Sequence, residues 1–207
     1  VAIVGLGKQE KFDLEAGRRT AAAVIKKAQE IKARRVVTIV HGCGDLDPEE
    51  AAKALVEGAI LGLYKFAGYA KDNDEPKFAV KELVLVDHDR TKLGAISRGA
   101  KLGLIIAEAE NHARDLVNEP SNLMTPIRFA ELAKKIARIN GLKFTVLDPK
   151  KAGMDALWAV AKGSNQPPRL VALEYRGNPR SKEKIALIGK GITFDSGGIS
   201  LKPSKNM

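Results

Sequence analysis

The chain has few of the residues that build covalent cross-links or histidine-based sites. Cys43 is its one cysteine in 207 residues. A single cysteine excludes an intramolecular disulfide framework and fits a reducing, cytoplasmic compartment. The three histidines, His41, His88 and His112, lie far apart and without HExxH spacing, so a histidine-based zinc site is unsupported. Aromatic residues make up 5% of the chain, and Trp158 and the scattered phenylalanines are expected in the core. No apolar run approaches the length that spans a bilayer, which excludes a transmembrane helix and leaves no membrane partner. The phosphate-binding loops are missing too. Gly5-Leu6-Gly7 follows an apolar run, but Glu10 stands where a dinucleotide fingerprint needs its third glycine, and no GxxxxGK[ST] occurs. There is no internal repeat and no low-complexity segment.

What is present is an ordinary globular balance, 44% hydrophobic and 29% charged. The length holds one large domain or two small ones. A net charge of +10 raises a role on nucleic acid. The basic residues are nevertheless spread along the chain in doublets such as Arg18-Arg19, Lys26-Lys27, Arg34-Arg35 and Lys134-Lys135. Solvated helix faces account for them better, and nucleic-acid binding stays an alternative that is not favoured.

Helical and strand patterns alternate. Val1 to Gly7 reads as a strand and a turn. Ala21, Val24, Ile25 and Ala28 recur at helical steps within a helix from about Asp13 to Ala33. Val36 to Val40 is a β-branched strand. Asp47-Pro48 opens a helix toward Leu63, with the aspartate as N-cap and proline at the first position. A third strand covers Val80 to Val86, and a long helix covers Leu93 to Val117. Thr125-Pro126 starts another helix that Gly141 ends. Strands follow at Lys143 to Leu147 and Leu170 to Tyr175, with a helix between Asp148 and Ala161 weakened by Pro149 and Gly153. This alternation predicts an α/β architecture. His41-Gly42-Cys43-Gly44 lies at a strand end, where a simple strand-to-loop turn is the preferred account.

The most informative residues come last. Ile185 to Ile188 is a short apolar run that predicts a core strand. It leads into Gly189-Lys190-Gly191-Ile192-Thr193-Phe194-Asp195-Ser196-Gly197-Gly198-Ile199-Ser200-Leu201-Lys202-Pro203-Ser204. A lysine at a strand end is costly to bury unpaired. One carboxylate and two lysines spaced by glycines, which let the backbone approach closely, suggest a site. This run resembles the metal-site segment of the leucyl aminopeptidase (cytosol aminopeptidase) family. Ala113 to Pro126, reading ARDLVNEPSNLMTP, resembles that family's signature at the start of its catalytic domain. The resemblance is strongest from about residue 95 to the end.

The resemblance implies a two-metal aminopeptidase that releases N-terminal amino acids, leucine-type, from peptides. It implies two divalent metal ions, Zn or Mn, with Lys190 and Asp195 as ligands. Lys190 ligates as a neutral amine, because the field of two adjacent cations opposes its protonation. Lys202 remains charged and polarises the scissile carbonyl. The implied fold is α/β in two domains. An N-terminal α/β (macro-like) domain over 1–92 is joined by a connecting helix over 93–117 to the first part of an α/β metallopeptidase catalytic domain over 118–207. The implied assembly is a cytoplasmic homo-oligomer, a hexamer, acting on peptide substrates. The family's further carboxylate ligands and its arginine are expected downstream of Met207, and Val1–Gly5 reads like the middle of a domain. The chain is therefore expected to be an internal piece, inactive alone. Asp195-Ser196-Gly197-Gly198 also resembles the DSGG of chymotrypsin-like serine proteases, with His41 upstream. Alternating helices and strands disfavour that two-barrel fold, and Phe194 replaces its glycine.

Overall fold

The computed structural model describes residues 1–42, 46–66, 68, 80–193 and 205. The chain divides into two units, Val1–Asn118 and Glu119–Met207.

In the first unit, Asp13 starts α1 (Leu14–Glu30) by accepting a hydrogen bond from the Ala16 amide at 2.7 Å. β1 (Arg35–Ile39) follows. Asp47 caps α2 (Pro48–Gly62), accepting from the Glu49 and Glu50 amides at 3.0 Å each. Such caps satisfy amides that the helix cannot pair itself. β2 (Glu82–Val86) lies parallel to β1, in register from Arg35 opposite Glu82 to Ile39 opposite Val86. α2 lies in the crossover between these strands, as a parallel pair requires. The long helix α3 (Leu93–Asn118) completes the unit.

α2 packs between α1 and α3, and small residues set the spacing. α1 buries Gly17, Ala21, Ile25 and Ala28; α3 buries Ile96, Gly99, Gly103 and Ala107. The helices meet backbone to backbone. A Cβ on Gly58 would lie 2.1 Å from the Arg18 carbonyl oxygen, and one on Gly99 would lie 1.9 Å from that of Glu49. Val40, Ala51, Ala52 and Ile96 form the buried cluster beneath the sheet, with Leu46 and Leu85 against it. Glu57 is carried into this tight packing and is 5% exposed. Arg18 Nε donates to its carboxylate at 2.6 Å, which raises the arginine pKa further.

In the second unit, Thr125 caps α4 (Pro126–Ile139) by accepting from the Arg128 amide at 3.3 Å. Gly141, at φ 65°, turns the chain out of the helix. β3 (Lys143–Leu147) pairs antiparallel with β4 (Leu170–Glu174), Lys143 opposite Glu174 and Leu147 opposite Leu170. α4 packs on this pair and buries Ala130, Ala133 and Ala137. A short helix, α5 (Asp155–Ala161), lies between the strands.

Three expected elements differ. Val1 to Gly7 forms no strand, and Val1 and Ile3 are exposed. Ile185 to Ile188 forms none either, with Ile185, Leu187 and Ile188 at least 92% exposed. An apolar β-branched run becomes a strand only where a neighbour completes its hydrogen bonds. Among the described residues β1 pairs with β2 and β3 with β4, and neither run has such a neighbour. The helix expected from Asp148 begins only at Asp155. The Asp148 side chain accepts from the Lys150 amide at 3.0 Å, a turn that competes with helix, and Gly153 sits at φ 69°.

The helix spacing makes a contrast within α3. Gly94 has only the Arg98 guanidinium near its would-be Cβ, at 3.8 Å. Gly94→Ala should leave stability unchanged or raise it by up to about 1 kcal/mol through reduced backbone entropy. Gly99→Ala gains the same entropy but must push α2 away, and should lose about 1–3 kcal/mol net. Urea unfolding of both variants checks this; equal stability of the two would show that the α2–α3 contact is loose.

Candidate metal centre

Lys190 lies in an exposed segment without regular secondary structure, between Gly189 and Gly191. A Cβ on either glycine would meet nothing within 4 Å, so neighbouring atoms leave the backbone beside this amine open to approach. An amine of this kind suits a borderline cation such as Zn²⁺, and a carboxylate suits Zn²⁺ or Mn²⁺. Asp195 and Lys202, the other two residues singled out in the sequence, lie outside the described residues, as do Ser196 and Gly197-Gly198. The structure thus describes one of the three and does not bring them together. Among the described residues no group of three or more His, Cys, Asp or Glu side chains could hold a metal ion. Of the two donors expected in this chain, Lys190 and Asp195, the structure describes Lys190 alone.

The histidines are not gathered. His88 is exposed, beside Asp87 at 3.6 Å. His41 is buried at the end of the first strand, with Nε2 at 3.2 Å from Thr38 Oγ1. A serine-hydrolase triad on His41 would therefore start from an imidazole already placed in the core of the first unit.

The signature around residue 114 has a structural partner that the sequence did not reveal. Tyr64, just beyond α2, donates its hydroxyl to Asp115 at 2.9 Å and accepts from the Asn118 amide group at 3.0 Å. The Arg114 guanidinium lies 5.4 Å from the centre of the Tyr64 ring, and Arg114 also ion-pairs with Glu110 at 2.5 Å. Partial burial raises the tyrosine pKa, Asn118 opposes that shift, and Asp115 adds to it. The last turn of α3 is thereby tied to the end of α2. Tyr64 sits 51 residues from Asp115, a separation at which no local pattern points from one to the other.

Part of the basic charge is paired. Arg18 meets Glu15 and Glu57, Lys27 meets Glu30, Arg35 meets Glu82, and Arg98 meets Glu49. These pairs fit solvated helix and strand faces rather than a cationic groove. No helix among the described residues is long and apolar enough to cross a membrane.

Comparison with known proteins agrees along the chain. Residues 1–73 match the N-terminal domain of the cytosol aminopeptidase family, and residues 111–207 match its catalytic domain. A probable cytosol aminopeptidase of Aquifex aeolicus (strain VF5) is 45% identical over 210 residues, covering 100% of this chain and 41% of the relative. One from Sulfurihydrogenibium sp. (strain YO3AOP1) is 42% identical over 208 residues, covering 98% of this chain and 40% of the relative. The chain thus spans about two fifths of the length of these curated relatives. Among solved structures, the bottromycin maturation enzyme BotP in complex with Mn superposes with a TM-score of 0.81 at 34% identity, covering 98% of this chain and 41% of that one. Since its two parts match the two domains of one family, the chain belongs to the cytosol aminopeptidase family.

Proposed function

We propose that the intact protein is a two-metal aminopeptidase that releases N-terminal amino acids, leucine-type, from peptides. The observation that carries this is the order Lys190, Asp195, Lys202 inside the stretch matched to the family's catalytic domain. The Mn complex of the BotP neighbour supports the use of a divalent ion, which we take as two ions, Zn or Mn. Lys190 and Asp195 hold the metals in this proposal, the lysine through a deprotonated Nζ. When bound, such ions act as Lewis acids toward the scissile carbonyl and lower the pKa of a water. Lys202 keeps its proton and holds a fixed positive charge where negative charge grows on the substrate oxygen. A preset charge of that kind stabilises the transition state more than the substrate. The glycines around Lys190 leave room for a peptide to come close to the backbone. The same family likeness supports a cytoplasmic homo-oligomer, a hexamer, for the intact protein.

Two experiments on the intact protein test this. Chelation should abolish hydrolysis of leucine anilides, and Mn²⁺ or Zn²⁺ should restore it. Full turnover after verified metal removal would contradict the proposal.

The residue roles separate in a second experiment. Lys190→Ala and Asp195→Ala should lower metal content, since each removes a ligand. Lys202→Ala should retain metal and lower kcat on the order of a hundredfold or more. Metal loss in Lys202→Ala, with turnover recovering on resupply, would reverse the assignments.

A further inference from the structure

A buried, half-paired imidazole sits outside the proposed reaction. His41 comes two residues after β1 ends, where the chain turns at Gly42, and is 9% exposed. Its Nε2 lies 3.2 Å from Thr38 Oγ1, while Nδ1 has no hydrogen-bond partner among the described residues. The Thr38 hydroxyl donates to the Ile39 carbonyl at 3.3 Å, which leaves its oxygen to accept from Nε2–H. This arrangement favours a neutral ring with its proton on Nε2 and a bare lone pair on Nδ1. An unpaired acceptor of this kind is tolerable in a core; an unpaired N–H with a full charge is not.

Among the described residues that line its cavity, none carries a charge to balance that one. The imidazole lines a cavity of about 10 Å³, room for at most one water. Its other walls are Ala21, Val24 and Ile25 from α1, Leu55 and Ala59 from α2, and Leu83 from β2, with Thr38 the remaining polar neighbour. Several charged groups on and beside those elements have partners of their own. Arg18 of α1 and Glu57 of α2 pair with each other at 2.6 Å, and Arg35 and Glu82 pair at the far end of the strands at 3.0 Å. Asp87, just after β2, accepts from the Asp89 amide at 2.8 Å. None of them lines the cavity.

The turn that holds His41 is packed just as closely. A Cβ on Gly42 would lie 2.7 Å from the Phe12 ring and 2.8 Å from Leu46, and the Gly42 carbonyl accepts from the Leu46 amide at 2.8 Å. The strand end therefore runs into a turn with little room beside Phe12 and Leu46.

We propose that His41 is an acid-sensitive latch, whose protonation expels the ring from its apolar cavity and frees the end of β1 and the Gly42 turn from α1 and α2. Burial lowers the histidine pKa from its ordinary value, in keeping with this. The sign follows by linkage. With the folded pKa below the unfolded one, the unfolded chain binds more protons between the two, so stability falls with acidification through that window. The stability is fully present above the unfolded value of about 6.5, and the loss saturates below the folded pKa.

The test uses the 207-residue chain. Imidazole nitrogen NMR follows the three histidines from about pH 8 to about pH 5, with His88→Gln and His112→Gln assigning the signals. His41 should titrate below the other two and show the Nε2–H tautomer when neutral. The urea midpoint should fall between about pH 7.5 and about pH 5.5, and fall less in His41→Gln. If that variant does not fold, the titration of the unmodified chain decides. A His41 pKa at or above about 6.5, or a neutral form protonated on Nδ1, overturns the proposal. So does a pH dependence that His41→Gln leaves unchanged.

Discussion

Backbone-to-backbone contact between α1, α2 and α3 is the constraint on which the first unit depends. Gly58 against the Arg18 carbonyl and Gly99 against the Glu49 carbonyl leave no space for a side chain at either crossing. The buried positions of α2 are accordingly mostly alanines, with Leu55 the one large aliphatic side chain among them. Such small side chains bury little apolar area each, so the unit relies on many close dispersion contacts. The same closeness forces Glu57 out of water beside Gly58, and Arg18 is the cation that compensates it. A buried carboxylate of that kind is tolerable only while its partner is present. With α2 held against α3, Tyr64 reaches Asp115 and Asn118 and ties down the last turn of the long helix.

The candidate chemistry occupies the other unit and follows a different logic. The part of it that this chain is expected to supply falls in one short stretch. Lys190, Asp195 and Lys202 fall within one run, and glycines on both sides of Lys190 keep the backbone unobstructed. A lysine can ligate a cation only as a neutral amine, so the proposed centre needs two metals close together to oppose its protonation. Lys202 has the opposite requirement, since its usefulness lies in staying charged. Two lysines of one motif must thus take opposite protonation states in this proposal, and that requirement separates it from a merely basic loop.

Local signals were the legible ones. Asp13, Asp47 and Thr125-Pro126 mark helix starts that the structure reproduces, because capping is decided within three or four residues. The long helix was equally plain, although Gly94, Gly99 and Gly103 are poor helix formers. Gly99 and Gly103 instead mark where α2 crosses, a tertiary reason that a helical pattern cannot display. Val1 to Gly7 and Ile185 to Ile188 read as strands because β-branched runs carry that preference. Strand formation also needs a partner, which is non-local, and none meets them among the described residues. The Tyr64 network and the Arg18–Glu57 pair were illegible for the same reason: each joins residues far apart in sequence. Within the candidate site, residue types and spacing were readable from the motif alone. Their geometry is described only at Lys190, since Asp195 and Lys202 lie outside the described residues.

On this proposal Lys190 is a metal ligand and not an exposed cation beside a glycine turn. A crystal structure of the intact protein grown with Zn²⁺, its metals located by anomalous scattering, tests it most directly. The account predicts two metal peaks, one with Lys190 Nζ in its coordination shell at about 2.1 Å. Occupied metal positions that leave Lys190 Nζ outside coordination, and ion-paired to a carboxylate as an ammonium, would contradict it.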